Sequence, residues 1–142
     1  MKAKPPGTIE GLFEGRPASL ALFNVVRKYV ESLGPVKVEA TRAQVSFGAK
    51  TKFAWVWLPQ LWVRKRSETS ISLTFDLGHR IDDPRIASAV EPLPGRFSHY
   101  VVIERASDLD AKVRAWLREA YEFGTIDRRP GRLNPIPGGP QK

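Results

Sequence analysis

The chain has 142 residues, of which 42% are hydrophobic and 27% charged, with a formal net charge of +8 and no cysteine. Those values suit one folded domain and exclude a disulfide framework, a thiolate zinc site and a cysteine nucleophile. No run approaches the ~20 apolar residues of a membrane span, and the polar start from Met1 to Gly7 lacks the apolar segment of a secretory signal. The expectation is a cytoplasmic protein that does not engage membranes.

In chain order, residues 1–7 read as a flexible N-terminus, and Thr8 is placed to cap a short turn carrying Ile9, Leu12 and Phe13. The first long helix starts at Pro17, whose fixed φ suits the first helical position. Leu20, Phe23, Val26, Val30 and Leu33 recur at three- and four-residue steps and form an apolar stripe. Gly34 followed by Pro35 ends that helix. Beyond it the period drops to two. Strands are expected at Val36–Val38, Ala43–Phe47, Lys52–Leu58, Ser70–Leu77 and Phe97–Glu104. The fourth alternates cleanly, with Ile71, Leu73, Phe75 and Leu77 on one side and Ser70, Ser72, Thr74 and Asp76 on the other.

Asp83-Pro84 is read as opening a short helix through Val90. The last helix is expected to use Ser107 as its cap, to bury Leu109, Val113, Trp116, Leu117 and Ala120, and to close at Gly124. Residues 125–142, with four Pro and three Gly, read as a disordered tail. The fold class expected is therefore α+β: residues 8–124 form a two-layer sandwich, an antiparallel sheet of about five strands with N- and C-terminal helices on one face.

Chemistry is sparse. No GxxxxGK[ST], GxGxxG or GxSxG motif occurs, so phosphate loops and a nucleophile elbow have no support. His79 stands near Asp76, Asp82 and Asp83, a grouping suited to a hard metal or to acid–base work. A polar loop with Asp capping the turn at Pro84 explains the same residues without chemistry. No catalytic residue, metal or cofactor is expected.

The third strand breaks the alternation. Phe53-Ala54-Trp55-Val56-Trp57-Leu58 is apolar on both faces. If Ala54, Val56 and Leu58 meet the helices, Phe53, Trp55 and Trp57 lie on the open face beside Gln44, Ser46, Ser72 and Thr74; the opposite register buries the tryptophans. Apolar surface so exposed needs a cover, whether the Pro59–Arg66 arm, a second subunit or a ligand. The leading expectation is a non-enzymatic binding domain that uses this face. Its site is Gln44, Ser46, Trp55, Trp57 and His99, with Arg42 and Lys52 at the rim, for a small ligand or protein partner. A second expectation comes from Lys50, Lys52, Trp62, Arg64, Lys65 and Arg66. Basic groups interleaved with stacking aromatics suit single-stranded nucleic acid. A third is a homodimer sealed along the tryptophan row.

The segments Leu12-Phe13-Glu14-Gly15, Leu33-Gly34-Pro35-Val36, Thr41 to Phe47, Phe53 to Pro59, Pro94 to His99 and Asp108 to Tyr121 resemble a bacterial family, domain of unknown function 5655, over roughly residues 10–124. The resemblance implies a fold distantly similar to frataxin-like helix–sheet–helix domains, and no assigned activity. The first long helix offers Glu31 alone, beside Arg27 and Lys28, so it presents no carboxylate row for iron.

Overall fold

The computed structural model describes residues 7–58 and 70–126. The expected N-terminal arm to residue 6, the arm with Trp62, Arg64, Lys65 and Arg66, and the tail from residue 127 lie outside the described residues.

A first turn, α1 (Ile9–Leu12), begins where Thr8 Oγ1 accepts the Gly11 N–H at 3.0 Å. Helix α2 (Pro17–Ser32) opens on its proline and buries Ser19, Leu22, Phe23, Val26 and Val30. Its end is unusually tight. Gly34 takes φ +149°, and a Cβ there would stand 2.3 Å from the Tyr121 hydroxyl, so only glycine lets that ring approach.

Among the described residues six strands follow: β1 (Lys37–Ala40), β2 (Gln44–Gly48), β3 (Lys52–Trp57), β4 (Ile71–Leu77), β5 (Ser88–Leu93) and β6 (Arg96–Ile103). They form one sheet in the order β1-β2-β3-β4-β6-β5, antiparallel throughout. Helix α3 (Ala111–Gly124) returns across β3 and β4 beside α2. This is the expected α+β sandwich, with both long helices on one side of the sheet. Between the layers lie Phe23, Val26, Phe47, Val56, Leu73, Phe75, Val101, Val113 and Leu117, all without exposed surface. Each such side chain stabilises the fold by roughly 1.5–3 kcal/mol.

Two local expectations are corrected. The segment expected as a helix from Asp83 makes only a turn, in which Asp83 Oδ1 accepts the Arg85 N–H and the Asp83 carbonyl accepts the Ile86 N–H. Ala87 N–H then bonds the Tyr100 carbonyl at 2.7 Å, and Ser88, Ala89 and Val90 pair with β6 as a further strand. Pairing to an existing strand satisfies backbone groups that an isolated two-turn helix leaves open. The cap of α3 is Asp110, whose Oδ1 accepts the Val113 N–H at 3.0 Å. Ser107 falls instead within a 3-10 turn (Ala106–Asp108), closed by Asp108 Oδ2 accepting the N–H groups of Glu104 and Arg105.

Candidate functional site

Register decides what the open face carries. Strand β3 contains an irregularity: Phe47 pairs with Ala54 and Gly48 with Lys52, which leaves Phe53 without a cross-strand partner. Such a bulge lets two consecutive side chains turn to one side. Phe53 therefore goes under α3 with Ala54, where it is fully buried, meets Tyr121 edge-on at 5.5 Å between ring centres and presses on Gly124. The expectation that placed Phe53 beside the tryptophans is corrected. A Cβ on Gly124 would lie 2.7 Å from the Phe53 ring.

Beyond the bulge the alternation is regular, and Trp55 and Trp57 project away from the helices. One register row crosses all six strands: Glu39, Ser46, Trp55, Thr74, Tyr100 and Ser88. A second row holds Gln44, Trp57, Ser72 and Val102. Directly opposed residues in an antiparallel sheet share a face with Cβ atoms ~5 Å apart, so Trp55 and Tyr100 flank the Thr74 methyl and hydroxyl. Four of the sequence-derived residues, Gln44, Ser46, Trp55 and Trp57, thus come together. Both indoles are half-buried. Thr74 and Ser46 are only 4% and 3% exposed although they lie on the side away from the helices. The Ser46 hydroxyl donates to the Glu39 carbonyl at 3.4 Å. Thr74 Oγ1 and Gln44 Oε1 are buried with no hydrogen-bond partner, a state that costs about 1–3 kcal/mol per group.

His99 does not join them. It pairs with Phe75 on the core side, fully buried, its ring stacked on Phe75 at 5.1 Å with Phe75 in turn stacked on Trp116. The expected ligand anchor is therefore a core residue, a correction that follows from its sharing the parity of Phe97, Val101 and Ile103. His99 Nε2 accepts the Ile81 N–H at 2.9 Å and ties the loop after β4 to the sheet. Burial holds the imidazole below the usual histidine range; the carbonyls of Phe75 and Phe97 and the Asp76 carboxylate oppose that shift, and His79 adds to it.

At the rim, Lys52 Nζ and Lys37 Nζ share Glu39, at 3.4 and 3.3 Å. Those two ammonium groups, Lys37 first, hold the Glu39 carboxyl below its ordinary value. Arg42 lies exposed in the β1–β2 turn. Of the residues expected to serve nucleic acid, Lys50 and Lys52 sit at the β2–β3 turn and the other four lie outside the described residues. The His79 grouping disperses: His79 pairs with Glu119, Asp83 with Lys112 at 2.9 Å, and Asp76 is drawn into the sheet. There Asp76 accepts from Arg96 Nε at 2.5 Å and from the Ser98 hydroxyl at 2.6 Å, while Arg96 also donates to the Lys52 carbonyl and lies over Phe123. Sequence reasoning did not single out this cluster, nor Thr74 and Tyr100 as site residues. Among the described residues no three His, Asp or Glu side chains gather in a metal-binding arrangement, and no helix is long and apolar enough to cross a membrane.

Fold and face together define a small α+β domain whose six-stranded sheet is helix-covered on one side and aromatic on the other. The chain belongs to the family described as Domain of unknown function (DUF5655), whose model matches residues 9–124. No curated protein and no solved structure matches it.

Proposed function

We propose that this chain is a non-enzymatic binding domain, and that the face of Trp55, Trp57, Thr74, Tyr100, Gln44 and Ser46 receives a flat, largely apolar small molecule bearing N–H or O–H donors. The observation that carries the reading is the pair of orphaned polar atoms, Thr74 Oγ1 and Gln44 Oε1, set among aromatic rings. A buried acceptor without a partner is a standing cost that a ligand donor removes, and the rings supply stacking worth about 0.5–1.5 kcal/mol per aromatic pair. The geometry supports orientation as well as affinity, because the two atoms lie in adjacent register rows and so fix two points of a planar guest.

Thermal-shift screening with small heteroaromatic amides and alcohols tests the reading. The expected result is a stabilising hit whose shift disappears in Trp55→Ala and Trp57→Ala. Hits that persist undiminished in both variants place binding elsewhere and refute it.

A further inference from the structure

We infer that a second, separate site for a small organic anion with an apolar body lies at the other end of the helical layer, in the cleft between the start of β1, the β2–β3 turn and the end of α3. The cleft is shallow and open to solvent, with a volume of about 400 Å³. Its lining includes Pro35, Val36, Ala49, Lys50 and the Tyr121 ring, and Lys37 borders it with its ammonium 3.3 Å from Glu39.

The walls are fixed before anything binds. The N–H groups of Lys50 and Thr51 both donate to the Gly124 carbonyl at 2.9 Å, so the β2–β3 turn is fastened to the helix end. On the opposite side the Tyr121 hydroxyl donates to the Pro35 carbonyl at 3.1 Å and fastens β1's approach. That bond uses the hydroxyl's only proton, so attraction of an anion falls to the lysines. A preformed cleft loses little ordering entropy on binding.

Charge selects the guest. Lys37 and Lys52 share the single carboxylate of Glu39, and Lys50 has no acidic partner among the described residues. Lys50 therefore leaves an uncompensated positive charge beside the apolar lining, which suits a carboxylate or sulfonate on a hydrocarbon or aromatic body. This site shares no residue with the tryptophan face, and either proposal can fail without the other.

The test is titration of the isotope-labelled full chain with 2-naphthoate, followed by amide chemical shifts, beside the uncharged 2-naphthamide. Saturable shifts centred on Val36, Ala49 and Lys50 are expected, with affinity about fivefold weaker for the amide and for Lys50→Glu, and unchanged for Trp55→Ala. The Lys50 side chain is exposed, and its backbone N–H bond to Gly124 is kept in Lys50→Glu, so that variant stays folded. Shifts centred on Ser46, Trp55 and Thr74, equal affinity for acid and amide, indifference to Lys50→Glu, or no saturable binding at millimolar probe would each overturn the inference.

Discussion

His99 gives the fold a pH dependence that can be isolated. In the folded chain the ring is sealed against Phe75, uses Nε2 to accept the Ile81 N–H and is held below the ordinary histidine value by burial. Unfolded, it titrates near about 6.5. As pH falls below about 6.5 the unfolded chain takes up a proton that the folded chain refuses, so stability declines with acidification. The slope reaches about 1.4 kcal/mol per pH unit until the folded-state imidazole itself protonates. Replacing the ring by His99→Phe removes that slope and leaves the Ile81 N–H without an acceptor, at a cost of about 1–3 kcal/mol at neutral pH. The variant should therefore start less stable and lose less in acid, so the two stabilities converge. Urea unfolding followed by tryptophan emission at about pH 7.5, 6.5 and 5.5 measures this. A His79→Gln background removes the chain's other histidine. Glu39, Asp83 and Asp110 have lowered values. Their stabilisation is present above the unfolded carboxylate value and lost as pH falls through the folded one, below about pH 4.5 and outside the window. A stability difference between the two proteins that stays constant from about pH 7.5 to 5.5 would refute the reasoning.

Gly34→Ala forces a methyl into the Tyr121 hydroxyl and a strained φ, so a loss of about 2 kcal/mol is expected in chemical denaturation, partly recovered by adding Tyr121→Phe; full tolerance contradicts the close approach. Arg96→Met leaves the 2%-exposed Asp76 carboxylate without its cation and should cost about 3 kcal/mol, with Asp76→Asn in the same chain restoring part of it; additive losses in the double-mutant cycle would show the pair is uncoupled. Thr74→Val exchanges an unpartnered buried hydroxyl for a methyl of the same shape, so the unliganded protein should gain about 1 kcal/mol while hits on the tryptophan face weaken. A destabilised Thr74→Val would mean that the hydroxyl is bonded in the native state.

Legibility in the sequence followed the strength of local pattern. The Gly34-Pro35 stop and the alternation of Ile71 to Leu77 hold as read; of the α2 stripe, Phe23, Val26 and Val30 are buried, Leu20 and Leu33 are half-buried, and Leu22 takes a buried place the stripe did not include. Where two local solutions had similar cost, tertiary pairing chose. Asp83 to Val90 has helix-opening chemistry, yet Ser88 to Val90 gains a full ladder against β6. Phe53 broke parity because a bulge is invisible in composition; only the excess of apolar residues on both sides of β3 hinted that one of them had to turn. His99 was decidable: Phe97, Val101 and Ile103 occupy its parity, and three apolar neighbours at even spacing outweigh one imidazole when a strand's buried side is assigned. Thr74 was expected beside the tryptophans from the alternation of its strand, whereas Tyr100 needed the register itself, since it reaches Trp55 only through the pairing of β4 with β6. Asp76, Ser98 and Arg96 likewise meet only through pairing of β4 with β6.

The bulge at Phe53 links the two sides of the molecule. Without it, strict alternation would assign Phe53 to the face of Trp55 and Trp57, so one more aromatic would stand away from the core and α3 would lose the ring that fills its last turn. With it, β3 supplies both the seat for the helix end and the centre of the aromatic face. Gly124 completes the fit, because any side chain there would collide with Phe53. The Gly124 carbonyl also receives Lys50 and Thr51, so the same helix end anchors the turn that forms the lysine-lined cleft. A single register irregularity thus turns Phe53 inward and closes the core beneath α3, while regular alternation keeps Trp55 and Trp57 on the opposite side.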